Sequence, residues 1–484
     1  MVFSSTIFLF LFLPLVLLGY YLLDRRYKNF FLLLASLFFY AWGEPKFVLV
    51  MIGSILVNYF AALGIDFNKK KSKNNSAKII LALAVLMNLS MFFVFKYLNF
   101  TTHNINRLLS IIGADAHTLP QTNILLPIGI SFFTFQAMSY VFDVYYDKGE
   151  VQKNPLNVLL YVSFFPQLIA GPIVRYQTVA DEIKVRKETL PDFSRGVERF
   201  IIGLAKKVIL ANTVAVAADF AYNALAEHTL TSGLGWIGAI AYSLQIYFDF
   251  SGYSDMAIGL GLMFGFHFLE NFDHPYLSKT VAEFWRRWHI SLGTWFRDYV
   301  YFPLGGSRVK TKRRLVFNLF VVWFLTGIWH GANWTFIIWG LMYFVLLAIE
   351  KTTDLEHRLA KHRILPIVYR VFTLLFIVCG WVIFRAESLP DGVAYLGAMF
   401  GAAPGGVWDK TTWVMLKQYA PILIIAIASC FDWRNTLSGL REKLQTKSPN
   451  TMFALKVVLL VLLAVFSLSF TVASTYNPFI YFNF

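Results

Sequence analysis

Apolar windows of roughly 20 residues recur along the chain, each long enough to cross a hydrocarbon core of about 30 Å as a helix. The first covers residues 2–23 and stops at the basic stretch DRRYK, 24–28. Residues 29–42 and 46–65 predict a helical hairpin turning at Gly43, Glu44 and Pro45, its first arm shorter than an ordinary span. The strongly basic DFNKKKSKNNSAK, 66–78, predicts a cytoplasmic loop. A span over 79–98 then leads to a polar, nearly uncharged outer loop at 101–124 and a return over 125–146. Residues 156–173 contain FFPQLIAGP, where Pro166 and Pro172 interrupt helical hydrogen bonding. Irregular backbone inside a membrane survives only where protein buries it or it lines a cavity.

The charged segment 174–199 predicts a second cytoplasmic loop, followed by crossings over 200–221 and 234–264. Residues 266–314 are too polar to span and too aromatic to float free in water. The next apolar run, 315–349, has roughly 35 residues and as one straight helix would reach about 52 Å, well beyond a membrane. Its interruptions at Gly327 and at His330-Gly331 therefore predict a broken pair, returning to the basic loop 350–365. Residues 366–384, 413–431 and 452–474 complete the set, with another basic loop at 432–450. Neither a 20–50-residue repeat nor a low-complexity tract interrupts this order. The pattern predicts an all-α polytopic integral membrane protein of about 11–13 membrane segments. Residues 1–484 are expected to form one integral domain with both termini outside the cytoplasm.

Composition agrees with that class: the 484 residues are 57% hydrophobic and only 15% charged, against about 25% charged in soluble domains. The formal charge of +15 raises nucleic acid as a partner. The basic residues gather in short loops between apolar segments, which the positive-inside bias explains better; the partner surface expected is the lipid bilayer, and no nucleic acid. Cys379 and Cys430 both fall in apolar segments, so neither a disulfide framework nor a thiolate site is indicated. The first segment lacks a basic start and a small-residue cleavage site, and reads as a retained helix.

Two histidines, each directly after a tryptophan, mark the candidate chemistry. Wound as a helix at about 100° per residue, 283–302 places Phe284, Trp288, Leu292, Trp295, Phe296 and Tyr299 on one face. Glu283, Arg286, Arg287, Thr294, Arg297 and Asp298 fall opposite, with His289 on the border. Such a helix lies at the membrane interface or in a re-entrant funnel, as a plain Trp- and Arg-rich anchor or as part of a site. His330 sits in TGIWHGANW, within apolar sequence. Polar groups at membrane depth are costly and usually functional, and a neutral imidazole can take a proton from a hydroxyl and return it. Gly327 and Gly331 would admit backbone or a substrate chain; the alternative is a histidine hydrogen-bonded across a helix bundle.

Further polar groups at depth are Gln136, Asp143, Gln167 and the cluster YSLQIYFDFSGYSD, 242–255, with Gln245, Asp249, Tyr253 and Asp255. They could line a cavity, orient a histidine, pair with basic-loop arginines or form a structural network. His267, Glu270 and His274 could share a helix face, but the spacing matches no metal motif and Pro275 ends any helix there, so no metal is expected. Without a Walker motif, a dinucleotide-binding glycine turn or a nucleophile elbow, a nucleotide-driven pump or soluble hydrolase is unsupported.

FWRRWHISLGTWFRDYVYFPLGG followed by FLTGIWHGANWTFIIWG resembles the membrane-bound O-acyltransferase family. LPIGISFFTFQAMSYVFDVYY, FFPQLIAGPIVRY and YFDFSGYSDMAIGLG are similar to its bacterial branch. WVIFRAESLPDGVAYLGAMF and the ending YNPFIYF resemble the subgroup of alginate and peptidoglycan O-acetylating membrane subunits. The resemblance implies a ring of helices around a thinned centre, re-entrant and interfacial amphipathic helices, and a tunnel from each side. The reaction centre would lie in 242–340, with extra C-terminal helices in 366–484.

By the same resemblance His330 matches the near-invariant active-site histidine and His289 the second one. Arg313 and Arg314 would face a phosphate-bearing donor. Arg297, Trp329, Asn333, Trp285, Tyr253 and Asp255 complete the expected substrate-binding set. The implied activity is O-acetyl transfer at a bacterial cell membrane. Acetyl-CoA would be the cytoplasmic thioester substrate, with no bound cofactor. A separate SGNH-type acyltransferase would modify a cell-surface polysaccharide outside. His330 would be the general base, with His289 orienting the acceptor or stabilising the oxyanion, helped by Arg297. The helix after His330 reads WGLMYFVLLAIEK and lacks the further histidine expected of the alginate subunit, a departure touching the pathway and not the reaction. The rival readings are D-alanyl transfer to teichoic acid from a carrier protein, a transporter or flippase, and a scaffold that leaves both histidines dispensable. The WVIFRAESL stretch and the extra C-terminal helix argue against the first.

Overall fold

In a computed structural model of the chain, residues 1–113, 119–436, 438, 439, 442, 446 and 448–473 are described. The YNPFIYF ending and parts of the loops at 101–124 and 432–450 lie outside the described residues. All regular structure among those described is helical.

The first half comprises α1 (Leu13–Leu22), α2 (Arg25–Ala41), α3 (Phe47–Lys70), α4 (Asn74–Phe92) and α5 (Leu98–Ile111). It continues with α6 (Ile130–Tyr145), α7 (Pro155–Ser163), α8 (Phe165–Leu168) and α9 (Tyr176–Lys184). After α10 (Leu190–Ala205) and α11 (Asn212–Ala226) comes the 32-residue α12 (Ser232–Met263). The short α13 (Val281–Arg287) and α14 (Ile290–Phe296) precede α15 (Lys312–His330) and α16 (Trp334–Thr353). α17 (Leu355–Leu359), α18 (Leu365–Arg385), α19 (Leu389–Gly397) and α20 (Lys410–Ser429) follow, then a helix over Pro449–Ala473.

Seven helical stretches among the described residues are long and apolar enough to cross a membrane, and the protein is a multi-pass membrane protein. Several expectations shift in detail. The basic loop 66–78 is mostly helical, because α3 runs to Lys70 and α4 begins at Asn74. The loop at 101–124 begins as the continuation α5, joined to α4 through the wide π-type turn Phe93–Tyr97. Polar sequence masked both extensions, yet Asn, Lys and Thr are tolerated at exposed helix ends.

α12 is buried along nearly its whole length, the condition of a helix that protein surrounds on all sides. It packs mainly on α10 and α11, with Gly203 and Gly252 at one crossing, where a Cβ on either would come within 2.7 Å of the other's carbonyl oxygen. Its carboxylates answer the question left by the sequence. Asp249 pairs with Lys207 at 2.6 Å, both almost fully buried. Asp255 pairs with Lys206 at 2.7 Å and with Arg199 at 2.7 Å. These are helix-to-helix ion pairs.

The apolar run 315–349 is the expected broken pair, with residues 331–333 outside both helices. Asn333 caps α16 by accepting from Thr335 N–H at 3.1 Å. A Cβ on Gly340 would lie 2.5 Å from Trp323 O, and one on Gly327 2.7 Å from Phe336 O, so these glycines admit backbone. The FFPQLIAGP segment is likewise irregular and buried: α7 stops at Ser163, α8 is one turn, and Ile173 N–H donates to Ser291 Oγ at 3.0 Å.

The single amphipathic helix expected over 283–302 does not form. α13 ends at Arg287 and α14 begins at Ile290, with His289 in the left-handed region at φ 45°. The apolar face predicted from one helical wheel is therefore divided between two directions. The α13 N-terminus is fixed by Glu350 of α16, whose buried carboxylate accepts from Val281 N–H and Ala282 N–H at 2.8 Å each and from Tyr369 O–H at 2.8 Å. Glu350→Ala leaves those donors unmatched, and a loss of about 2–4 kcal/mol is expected, read as a lower Tm in detergent with reduced folded yield.

Candidate active site

The two histidines enter one region from different elements. His289 is 2% exposed, at the non-helical joint between α13 and α14. A left-handed non-glycine residue costs about 1–3 kcal/mol and persists only where its surroundings hold it. Here Asn271 does so: Asn271 O accepts from Ile290 N–H at 2.9 Å, and Asn271 Oδ1 accepts from Ser291 N–H at 3.2 Å and Ser291 O–H at 2.9 Å. His289 Nδ1 lies 3.2 Å from the same Oδ1. Its ring packs edge-on to Phe250 at 4.6 Å and faces Phe132 at 6.4 Å and Trp329 at 5.9 Å.

His330 is the last residue of α15 and 6% exposed. Trp329 at 4.9 Å, Trp339 at 5.0 Å and Phe384 at 5.2 Å surround its ring. Trp329 thus touches both imidazoles. The carbonyls at the end of a helix lack intrahelical donors. Lys96, on the π-type turn after α4, supplies them: its ammonium donates to Trp329 O at 2.8 Å and His330 O at 2.9 Å. Tyr97 O–H donates to Gly331 O at 2.8 Å and also meets Ile328 O. A cation at a helix C-terminus is favourable as well. Lys96→Met is expected to cost about 1–3 kcal/mol for each carbonyl left bare, measured as a Tm decrease, whereas Lys96→Arg should retain most stability.

A cavity of about 30 Å³, bounded by Lys96, Ser131, Phe132, Trp329 and His330, reaches the segment after the 101–124 loop. A second of about 20 Å³, bounded by Arg175, Glu270, Ile290, Ser291 and Thr294, borders the charged 174–199 segment at the start of α14. Buried polar atoms normally have hydrogen-bond partners, yet His289 Nε2, His330 Nδ1 and the Trp285 and Trp329 indole nitrogens have none among the described residues. Two imidazoles with open ring nitrogens, screened by aromatic rings, can carry a proton between reactants in a water-poor space.

The structure brings together His289, Trp329 and His330, with Trp285 one ring further out, 5.5 Å from Trp339. Asn333 is occupied as a cap and donates to Glu387 O at 2.8 Å. Tyr253 stacks on Phe3 at 4.5 Å, and Asp255 serves its ion pairs, so both belong to packing around α12. Arg297 turns away to Asp298 at 2.9 Å and does not join His289. Arg313 is exposed in the first turn of α15, and Arg314 donates to Leu304 O at 3.2 Å; at 1.5 Å per residue they stand about 24–26 Å from His330 along the helix. His267, Glu270 and His274 take separate partners in Glu182, Arg199 and Cys430 O. Lys96 and Asn271, which hold the two histidine segments in place, are not among the residues singled out by the sequence. A lone lysine closing the apolar span 79–98 was a usable signal; Asn271, in an irregular stretch, gave none.

Residues 34–390 match the family model described as the membrane-bound O-acyltransferase family. Among curated relatives, the chain is 41% identical to a probable alginate O-acetylase of Pseudomonas putida, covering 100% of both chains. It is 37% identical to a peptidoglycan O-acetyltransferase of Helicobacter pylori, over 83% of this chain and 80% of that protein. A teichoic acid D-alanyltransferase of Bacillus subtilis is 33% identical, over 55% of this chain and 71% of the relative.

Proposed function

The chain belongs to the membrane-bound O-acyltransferase family and is an acyltransferase, and from that premise we propose that it transfers acetyl from a cytoplasmic thioester towards an extracytoplasmic polysaccharide. The observation that carries this reading is the pair of buried imidazoles around Trp329, with a cavity at His330. Acyl transfer from sulfur to oxygen needs a base for the attacking hydroxyl and a proton for the leaving thiolate, and one imidazole can serve both in turn. His330, next to the cavity on the side of the 101–124 loop, takes the hydroxyl proton; His289 orients the acceptor. Acetyl-CoA is the proposed donor, its phosphates drawn to the exposed basic turn at Arg313 and Arg314. Relatives named for alginate and peptidoglycan acetylation support acetyl as the group and a cell-surface polysaccharide as its destination. An SGNH-type serine acyltransferase on a separate chain completes the transfer.

The test is thiol release from acetyl-CoA by the protein in lipid nanodiscs, with and without a purified SGNH-type partner. Release that rises on adding the partner, with acetyl recovered on its serine, is expected. Release only from a D-alanyl carrier protein would replace the proposed donor with that of the teichoic-acid reading.

A further inference from the structure

The hydrogen bonds around Asn271 determine which nitrogen of His289 carries hydrogen. A backbone N–H can only donate, so Ser291 N–H at 3.2 Å fixes the Asn271 side-chain atom facing it as the carbonyl oxygen. The other side-chain atom, the amide nitrogen, then donates to Ser254 Oγ at 3.0 Å, consistent with that orientation. His289 Nδ1 faces the same oxygen at 3.2 Å and must supply the hydrogen between them. Ser291 Oγ, 3.4 Å from Nδ1, has given its own hydrogen to Asn271 Oδ1 at 2.9 Å and can only accept there. A neutral imidazole with hydrogen on Nδ1 has a bare lone pair on Nε2. That atom is buried without a partner among the described residues.

We propose that Asn271 is a positioning residue that holds His289 as the Nδ1–H tautomer, so that Nε2 meets the acceptor substrate as a hydrogen-bond acceptor. The proposal rests on the acyltransfer reading and sharpens it. The oxyanion role considered for His289 needs a hydrogen on Nε2 and is removed. His289 instead holds a donor group of the acceptor in place while His330 takes the proton of the attacking hydroxyl. Asn271 is itself 1% exposed and tied to α12 through Ser254, so the tautomer is set by the central helix. The groups facing the ring are Phe132, Phe250, Trp329, Asn271 and Ser291. The titratable side chains around Trp329 are Lys96, whose ammonium donates to Trp329 O at 2.8 Å, and His330, its ring 4.9 Å away; among the described residues His289 makes no ion pair with a carboxylate.

Three proteins test this: wild type, Asn271→Leu, which removes every side-chain bond, and Asn271→Asp, which keeps the accepting oxygens. With 15N-labelled histidine, and His289→Gln to assign the signal, wild-type His289 should show a pyridine-type Nε2 and a protonated Nδ1. Asn271→Leu should lose that preference and lower kcat about 10–100-fold, with donor KM unchanged. Asn271→Asp should keep the Nδ1 proton and move the acid limb of the kcat profile to higher pH, because a carboxylate stabilises the imidazolium. A purely structural Asn271 would move neither tautomer nor pH limb. A protonated Nε2 in wild type, or Asn271→Leu with unchanged tautomer and kcat, would overturn the proposal. The NMR measurement needs no substrate, so it stands apart from any failure of the acyltransfer reading, which wild type inactive towards every thioester donor would show.

Discussion

His330→Ala is expected to lower the acyl-transfer rate about 10²–10⁴-fold, the contribution of a well-placed general base. The geometry separates this loss from misfolding. Lys96 binds the backbone oxygen of His330 and not its ring, and the ring Nδ1 has no partner among the described residues, so removing the imidazole breaks no hydrogen bond through that atom there. What is lost in packing is contact with Trp329, Trp339 and Phe384, which His330→Gln largely restores in volume. Both variants should insert and purify as wild type while thiol release falls together in the two. If His330→Gln released thiol at the wild-type rate, the ring would be a packing element.

The second large effect is on stability. Lys207 and Asp249 form a pair 2% and 1% exposed in the heart of the bundle. Removing one partner of such a pair strands a charge away from water and costs about 3–5 kcal/mol, whereas replacing both with apolar groups of similar volume is often neutral or stabilising. Asp249→Leu alone should therefore fail to accumulate as folded protein, or unfold at a much lower temperature. The double variant Asp249→Leu with Lys207→Met should recover most of the loss. Thermal unfolding of the three purified proteins reads this directly. Equal instability of the single and double variants would mean that the pair is needed for more than mutual neutralisation.

How far the sequence reached depended on whether a feature was local. The break after His330 was legible because roughly 35 apolar residues exceed a membrane's thickness and two glycine-containing interruptions mark where the chain must turn. The hairpin of α2 and α3 was legible for the same reason, around Gly43 to Pro45. The joint at His289 was not, since helical periodicity over 283–302 is satisfied by one continuous wheel. The left-handed turn is held by Asn271, whose hydrogen bonds come from residues 18–20 positions further along. Lys96 belongs to the same class: it reaches carbonyls 233 and 234 positions away. The carboxylates of α12 were visible as polar groups at depth, but only their partners on the helix beneath, Lys206, Lys207 and Arg199, show them to be braces. Arg297 pairs with Asp298, and it lies beyond the bend at residues 288–289 that helical periodicity over 283–302 does not reveal.

Transfer of the acyl group across the membrane is proposed to run through chemistry at the two histidines. Reconstituted vesicles given radiolabelled acetyl-CoA on the cytoplasmic side and an SGNH-type acceptor protein outside test it most directly. With wild type, free CoA inside and label on the acceptor outside are expected, both lost in His330→Ala and strongly reduced in His289→Ala. Label crossing equally well with wild type and both variants would contradict it, and would leave the histidines as part of the packing.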